Sequence, residues 1–443
     1  MENKNKLKLF NFTMIVVGLV IGMGIFRTAA TSAKYATNPT IFFAAWIIGG
    51  LIALCGALTY AEIGSRYPVT GGYYRIFAYA YHPSIAFSIN CIILVSNAAS
   101  LAGVALIGSG YISQALFHEP ATDLVKALIA MSAIILFYGI NLIGLQMSAK
   151  TQTVLMAIKI AIILVLISAL FMPSVYNASP IVMAPVAGHD SWIDWIRSFG
   201  LCLIAVSFTY GGYQQTINFG NEVAKPAKNI PRAIFMGIAI IITLYLLVNL
   251  AYFKVIGFNE LKGQNEIASV VISRIFGPMA GNVFGVLLFV CVLGYVNVVL
   301  LSSPRVMYAM SDDGVLPKIF AKTWGKREVF FISLSVFTAV SIVILFYAQT
   351  FDRILNFVIF LDCIGMAGSA ATIFIIRKRT KHLNGTGIYS MKLFPLMPVI
   401  FIAAYIFVAA SIAIQELNIA IIAVTVLIAL IGVYFVVNLL NKK

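Results

Sequence analysis

The chain alternates long apolar runs with short polar loops along almost its whole length. The runs centre near residues 22, 50, 100, 133, 161, 208, 243, 293, 338, 365, 403 and 429. A helix of about 20 apolar residues spans the hydrocarbon core of a bilayer, so the pattern predicts about twelve transmembrane helices. The first run follows MENKNKLKLF and is too long and too glycine-rich for a signal peptide, so we interpret it as the first span.

Two of these runs are interrupted by glycines at corresponding stages of the chain. VIGMGIF lies in span one, from Val20 to Phe26, and SFTYGGY lies in span six, from Ser207 to Tyr213. The third span after each start is unusually long, at about residues 83–116 and 279–309. Two sets of five spans that share a glycine interruption and a long third span predict an inverted repeat, with spans eleven and twelve appended.

This repeat defines the expected domain organisation. We predict one polytopic transporter domain over residues 1–440, with no second domain. Repeat one covers about residues 10–172, repeat two about 195–380, and the two accessory helices about 393–440.

The glycines predict broken helices that bind a ligand through the backbone. Unwound backbone at membrane depth is tolerated only where it lines a cavity and finds partners. The half-helix that begins near Met23 to Ile25 offers amide donors and a positive dipole end, which suit a carboxylate. The carbonyls of Val20, Ile21, Phe208 and Thr209, beside Gly211 and Gly212, suit an ammonium group. A zwitterionic α-amino acid fits both halves, whereas close helix packing is the alternative reason for the glycines.

Composition agrees with a membrane protein, because 61% of the 443 residues are hydrophobic and 10% are charged. The net charge of +15 does not indicate nucleic acid as a partner. Alternate loops on one side collect most of the 30 lysines and arginines, which predicts a cell-membrane protein with both termini cytoplasmic.

The cysteines and histidines predict neither a metal site nor a cofactor. All the cysteines fall in apolar runs without CxxC pairing, and the histidines lie at span ends or in loops. The cysteines are Cys55, Cys91, Cys202, Cys291 and Cys363, and the histidines are His82, His118, His189 and His382.

Four segments in chain order resemble signature segments of the amino acid, polyamine and organocation transporter superfamily, within it the L-amino acid transporter branch. They are IGMGIF, ALTYAEIGSRYPVTGGYY, FTYGGYQQTINFGNEVAKPAKNIPRA and SPRVMYAMSDDGVLPKIF. Four matches with similar spacing cover nearly all of spans one to ten. Met23 departs from the serine or threonine of the family signature, and Ala29 and Ala30 replace a common Pro-Gly pair.

The resemblance implies an all-α membrane fold of the bacterial leucine transporter type. That fold has 12 transmembrane helices in a 5+5 inverted repeat with two extra C-terminal helices, and it binds substrate between the broken spans one and six. The positions that match the family's binding residues are Gly22, Met23 and Gly24 for the carboxylate, and Val20, Phe208 and Thr209 for the amino group.

Lys159 lies about nine residues into span five, in MAIKIAIILVLI. A charge at this depth needs a partner. In the family branch, a lysine here resembles a substitute for the sodium of sodium-coupled relatives, with its ammonium near the span-one carbonyls. This implies a sodium-independent carrier, either an exchanger or proton-coupled. Asn297 is a candidate partner, and structural pairing or snorkelling is the alternative.

Other charged residues are candidates for gates. In the resembled fold, span ten lies near the outer half of span one, so Arg27 and Asp362 are expected to pair in an extracellular gate. Alternatively, Asp362 receives a cationic side chain or a proton, or makes a structural contact elsewhere. An inner gate of ion pairs is expected among Glu62, Arg66, Glu222, Lys225, Arg305 and Asp313.

Together these features predict a carrier rather than an enzyme. A membrane-embedded enzyme needs reactive residues clustered at one depth, whereas Lys159 and Asp362 are isolated. A channel is disfavoured because no repeated filter sequence occurs. We predict a sodium-independent exchanger of small or medium neutral L-amino acids that works by alternating access. The alternatives are a proton-coupled symporter, or a carrier of the same fold for a cationic amino acid, a polyamine or another solute.

Overall fold

The computed structural model describes residues 6–22, 24–117, 122–172, 191–264, 267–325, 328–347, 351–385 and 387–440. These residues form α-helices joined by short turns, 3₁₀ segments and isolated β-bridges. The helices are α1 Leu9–Val20, α2 Gly24–Tyr35, α3 Pro39–Arg66, α4 Gly72–Ala80, α5 Pro83–Phe117, α6 Asp123–Leu142, α7 Leu145–Ser168, α8 Trp192–Tyr210, α9 Pro226–Ile256, α10 Phe258–Leu261, α11 Ile267–Phe276, α12 Pro278–Asp312, α13 Phe331–Tyr347, α14 Phe351–Arg379, α15 Leu396–Gln415 and α16 Leu417–Leu440.

Ten stretches of the described chain are long and apolar enough to cross a membrane. One combines α1 with α2, and another combines α8 with the 3₁₀ segment Tyr213–Asn218. The others lie in α3, α5, α6, α7, α9, α12, α14 and α15. The apolar helices Phe331–Phe346 in α13 and Ala420–Phe435 in α16 are shorter than this length. Ten of the twelve predicted spans therefore meet it within the described chain. The chain is a multi-pass membrane protein.

Local sequence sets where several spans begin. Asn38 precedes Pro39, and its side chain accepts a hydrogen bond from the Ile41 amide at 2.9 Å, which caps α3. Thr122 caps α6 in the same way through the Val125 amide. These caps satisfy amides that the helix itself leaves unpaired, which matters at a membrane boundary.

Small residues let the spans approach closely. A Cβ atom on Gly237 of α9 would lie 2.6 Å from a Val16 methyl of α1, and one on Gly108 of α5 would lie 2.7 Å from a Val292 methyl of α12. Such spacing suits membrane helices, which associate through van der Waals packing rather than the hydrophobic effect.

Backbone pairing closes one end of the helix bundle, which we call the Leu7 end. The Leu7 amide donates to the Glu222 carbonyl oxygen at 2.7 Å, and the Ala224 amide donates to the Leu7 carbonyl oxygen at 3.0 Å. The Gly71 amide, which precedes α4, donates to the Asn218 carbonyl oxygen at 2.9 Å. The opposite end, where α2 finishes, is called the Tyr35 end.

Candidate functional site

The glycine-interrupted runs are broken in the structure, as the sequence predicts. α1 ends at Val20 and α2 begins at Gly24, while α8 ends at Tyr210. The two breaks lie against each other, because a Cβ on Gly212 would lie 2.1 Å from the Leu19 carbonyl oxygen. Gly212 also has φ +110°, which side chains rarely adopt. Glycine is therefore required here by both conformation and contact.

Thr209 joins the breaks from the other side. Its hydroxyl oxygen lies 2.7 Å from the Thr28 hydroxyl oxygen and 2.9 Å from the Ala205 carbonyl oxygen, so it hydrogen-bonds within α8 or across to α2. A Cβ on Gly24 would lie 2.9 Å from the Thr209 methyl carbon, so the first turn of α2 rests directly on α8.

The backbone at the breaks offers both kinds of polar group. The first amides of α2 have no acceptor within that helix and lie at its positive end. The Val20 carbonyl oxygen accepts from the Gly22 amide at 2.8 Å, and the Phe208 carbonyl oxygen accepts from the Gly211 amide at 3.3 Å. The Phe208 carbonyl oxygen keeps a second lone pair, so an ammonium group has an acceptor available beside an anion-binding helix start.

Tyr245 of α9 is a site residue that the sequence reasoning missed. Its hydroxyl lies 3.3 Å from the Val20 carbonyl oxygen and 3.4 Å from the Thr209 carbonyl oxygen, so it bridges the two breaks. Its ring packs on Trp46 and Tyr210. A tyrosine in an apolar run is typical of helix packing or of the membrane–water interface. Only the position of α9 beside both breaks reveals the contact.

A cavity of about 610 Å³ opens beside the breaks. It extends to residues at the Tyr35 end, among them Lys34, Tyr35, Gln415 and Glu416, so this end is open while the Leu7 end is closed. The predicted binding residues that line it are Val20, Gly22, Gly24, Phe208, Thr209, Gly211 and Gly212.

Two of the predicted binding residues that the structure describes do not line this cavity. Ile21 and Ile25 are fully buried, because their side chains pack into the surrounding helices. Met23 lies outside the described residues.

Lys159 is fully buried on α7, and its ammonium donates to the Ile21 carbonyl oxygen beside the break. Its nitrogen lies 3.7 Å from where a Cβ on Gly294 of α12 would be, so glycine leaves room for it. The structure thus brings the lysine of span five to the backbone of span one.

The candidate pairing of Lys159 with Asn297 is wrong. The Asn297 amide nitrogen donates to the Gln152 side-chain oxygen at 2.8 Å and to the Ser148 carbonyl oxygen at 3.2 Å. Its oxygen accepts from the Asn141 amide nitrogen at 3.1 Å. Gln152 precedes Lys159 by two helical turns, about 10 Å along α7, so Asn297 meets α7 at a different depth.

Arg27 and Asp362 both line the cavity. None of the ion pairs among the described residues joins them, so the expected extracellular gate stays a prediction.

The expected inner-gate residues form separate ion pairs at the Leu7 end rather than one cluster. Fully buried Glu62 accepts from Arg66 and Arg377, each at 2.6 Å, and from the Met391 amide at 2.8 Å. These contacts join α3 to α14 and to the loop before α15.

Glu222 and Arg305 form the second pair. They lie 2.7 Å apart and join the segment after α8 to α12. The Arg305 guanidinium also lies over the Phe219 ring, 4.5 Å from its centre.

Arg75 of α4 forms a third group with Asp312 and Asp313 at the end of α12, and it lies 3.1 Å from Asp313. Burial raises the pKa of the Asp313 carboxyl, while the charge of Arg75 opposes that shift. Within the described chain, no group of three or more histidine, cysteine or acidic side chains is arranged to hold a metal ion.

The model of the amino acid permease family matches residues 7–438. The serine/threonine exchanger SteT of Bacillus subtilis is 27% identical, with 93% of this chain and 92% of SteT covered. The large neutral amino acids transporter small subunit 2 of Oryctolagus cuniculus is 26% identical, over 91% of this chain and 75% of that protein. The Asc-type amino acid transporter 1 of Mus musculus is 23% identical, over 98% and 81%.

Proposed function

Because the chain belongs to the amino acid permease family, we propose that it is a sodium-independent exchanger of small or medium neutral L-amino acids. The observation that carries this proposal is the meeting of two broken helices at one cavity, with helix-start amides and carbonyl acceptors side by side. The exchanger and transporter names of its relatives support the same substrate class.

The substrate's two charged groups would divide between the breaks. The α-carboxylate binds the backbone of Gly22, Met23 and Gly24 at the start of α2, where the helix dipole is positive. The α-amino group binds the carbonyls of Val20 and Thr209 with the neighbouring backbone of α8. Ile21 and Ile25 then act through the backbone or through packing.

Lys159 supports independence from sodium. Its ammonium already donates to the Ile21 carbonyl oxygen, so a positive charge occupies the break without any ion. A bound sodium ion beside it would meet repulsion in a low-dielectric setting. The buried polar group of Asn297 and Gln152 positions α7 and α12 around this lysine.

We further propose twelve spans in a 5+5 inverted repeat, at about residues 10–172 and 195–380, followed by accessory helices at about 393–440. The equal lengths of α5 and α12, at 35 residues each, support corresponding third spans. The Leu7 end faces the cytoplasm, because the basic loops lie there, and the protein resides in the cell membrane. Glu62, Glu222 and Arg305 act as the inner gate of alternating access.

The test is uptake of labelled L-serine, L-threonine, L-alanine and L-leucine into proteoliposomes. We expect uptake to require amino acid inside the vesicles and to be unchanged when choline replaces sodium. Uptake driven by a pH gradient into empty vesicles would instead identify a proton-coupled symporter. If no amino acid is taken up under any condition, the proposal is wrong.

A further inference from the structure

Asp362 is a carboxyl group on the cavity wall without a hydrogen-bond or ion-pair partner among the described residues. It lies on α14 within an apolar helix that crosses the bundle and is partly open to the cavity. A carboxyl group at membrane depth costs several kcal/mol unless something donates to it or neutralises it. The cavity therefore contains an acceptor whose donor is still to be supplied.

Two tyrosine hydroxyls near the cavity and along α14 have hydrogen-bond partners other than Asp362. The Tyr295 hydroxyl lies 2.8 Å from the Ser100 hydroxyl oxygen. The Tyr60 hydroxyl bonds to Ser369, which in turn donates to the Tyr73 hydroxyl oxygen at 3.2 Å. None of these hydrogen bonds reaches the Asp362 carboxyl.

A second acceptor lies in the same cavity wall. The Gln215 amide nitrogen donates to the Asn97 side-chain oxygen at 3.1 Å, which leaves the Gln215 oxygen buried without a partner. Asn97 and Gln215 both line the cavity with Asp362. Two acceptors without donors select for a ligand that brings donors.

The position of Tyr295 relates these acceptors to the break. Its ring lies against Gly22, since a Cβ there would be 3.4 Å from a ring carbon. Tyr295 and Asp362 line the same cavity. An amino acid whose backbone binds at Gly22 would reach past Tyr295 toward Asp362 with its side chain.

We propose that Asp362 binds the side chain of the substrate and selects α-amino acids whose side chain carries a hydrogen-bond donor, either a hydroxyl or an ammonium group. This inference rests on the proposed function, because it assumes that the backbone of the amino acid binds at the two breaks. A preference for the ammonium member would extend the substrates beyond the neutral amino acids proposed above. It develops one of the roles that the sequence leaves open for Asp362, the binding of a substrate side chain.

The experiment compares initial uptake of isosteric pairs by the intact protein in proteoliposomes. L-threonine against L-valine tests the hydroxyl, and L-2,4-diaminobutyrate against L-norvaline tests the ammonium. We expect the protein to prefer the donor-bearing member of at least one pair by about tenfold or more in kcat/KM, because a site built for a donor rejects the isostere without one. Equal kcat/KM within both pairs would overturn the proposal without any variant.

Two variants assign the preference to Asp362. Asp362→Leu keeps a similar volume but removes both carboxylate oxygens. The ratio of kcat/KM within each pair is therefore expected to fall to about one, while valine is still taken up. Asp362→Asn keeps one acceptor oxygen, so a hydroxyl preference survives in part and an ammonium preference is lost. Asp123→Asn, which changes an exposed carboxylate at the start of α6, is the matched control.

The contrary results are distinct. If Asp362→Leu keeps the side-chain preference, Asp362 does not bind the side chain. The same conclusion follows if the Asp362 variants lose only the uptake that a pH gradient drives. Uptake of neutral amino acids without side-chain preference would contradict this inference alone. Absence of all amino acid uptake would contradict the proposed function itself.

Discussion

Single residues determine how the two broken helices fit together. Gly212 permits contact with the Leu19 carbonyl, and Lys159 supplies a donor to the Ile21 carbonyl. In both cases a residue type that is unfavourable in an ordinary span is required by one specific backbone contact. These positions are therefore the most sensitive places to test the proposed site.

Gly212→Ala is expected to lower amino acid uptake at least about tenfold and to lower the melting temperature in detergent. The left-handed conformation alone costs about 1–3 kcal/mol for alanine, and the Leu19 carbonyl must also move. Gly139→Ala on α6 is the control, because nothing lies within 4 Å of its added Cβ. Equal effects of the two variants would contradict the close contact between the breaks.

Lys159→Gln is expected to reduce uptake at least about tenfold, because a neutral side chain does not supply the positive charge beside the break. Lys150→Gln on the same helix is the control, since Lys150 is exposed. Initial rates with sodium or choline outside measure the effect. If sodium increases the uptake of Lys159→Gln but not that of the unchanged protein, the lysine acts as a sodium substitute. Full activity of Lys159→Gln in choline would exclude that role.

At the scale of elements, buried ion pairs join helix ends at the Leu7 end. Arg66 extends the Glu62 network, because its guanidinium donates to the Thr380 hydroxyl, the Asn384 side chain and the Ser390 hydroxyl. The end of α3 is thereby tied to the loop between α14 and α15. A buried carboxylate between two arginines is costly to remove, because the arginines are left without a counter-charge.

Glu62→Gln should destabilise the protein by about 3–5 kcal/mol, measured by chemical unfolding in detergent micelles. Glu260→Gln is the control, since its pair with Arg274 is partly exposed and contributes under about 1 kcal/mol. Equal stability of the two variants would mean that the Glu62 network contributes little to joining α3 and α14.

At the scale of the whole molecule, the cavity opens at one end of the bundle while backbone pairing closes the other. The Leu7 amide and carbonyl form a short bridge to the segment after α8, so the beginning of the chain is part of the closure. Alternating access would require this bridge to open when the Tyr35 end closes. The accessibility of a cavity residue from the Tyr35 end measures the equilibrium between the two open states.

Thr31→Cys places a thiol at an exposed position on the cavity wall. A membrane-impermeant maleimide added outside cells is expected to label it, and Leu7→Pro should reduce that labelling. Proline cannot donate to the Glu222 carbonyl oxygen, so the closed Leu7 end is weakened. Leu7→Ala keeps the amide while losing the side chain, and equal labelling of both variants would contradict a role for the amide.

The sequence by itself determined ten of the twelve predicted spans, the two breaks and the family. Each depends on local physics: apolar runs must satisfy their backbone within a helix, and glycine pairs at membrane depth indicate where that ladder stops. The resemblance carried by the four signature segments is confirmed by the family match over residues 7–438.

Only the tertiary structure decided which side chains meet. Tyr245 bridges the breaks, Asn297 bonds to Gln152 rather than to Lys159, and Asp362 lines the cavity beside the breaks. The reason is that a helix sequence determines which face and depth a residue occupies, whereas contacts between helices depend on how distant segments pack, and a shift of one turn changes every partner.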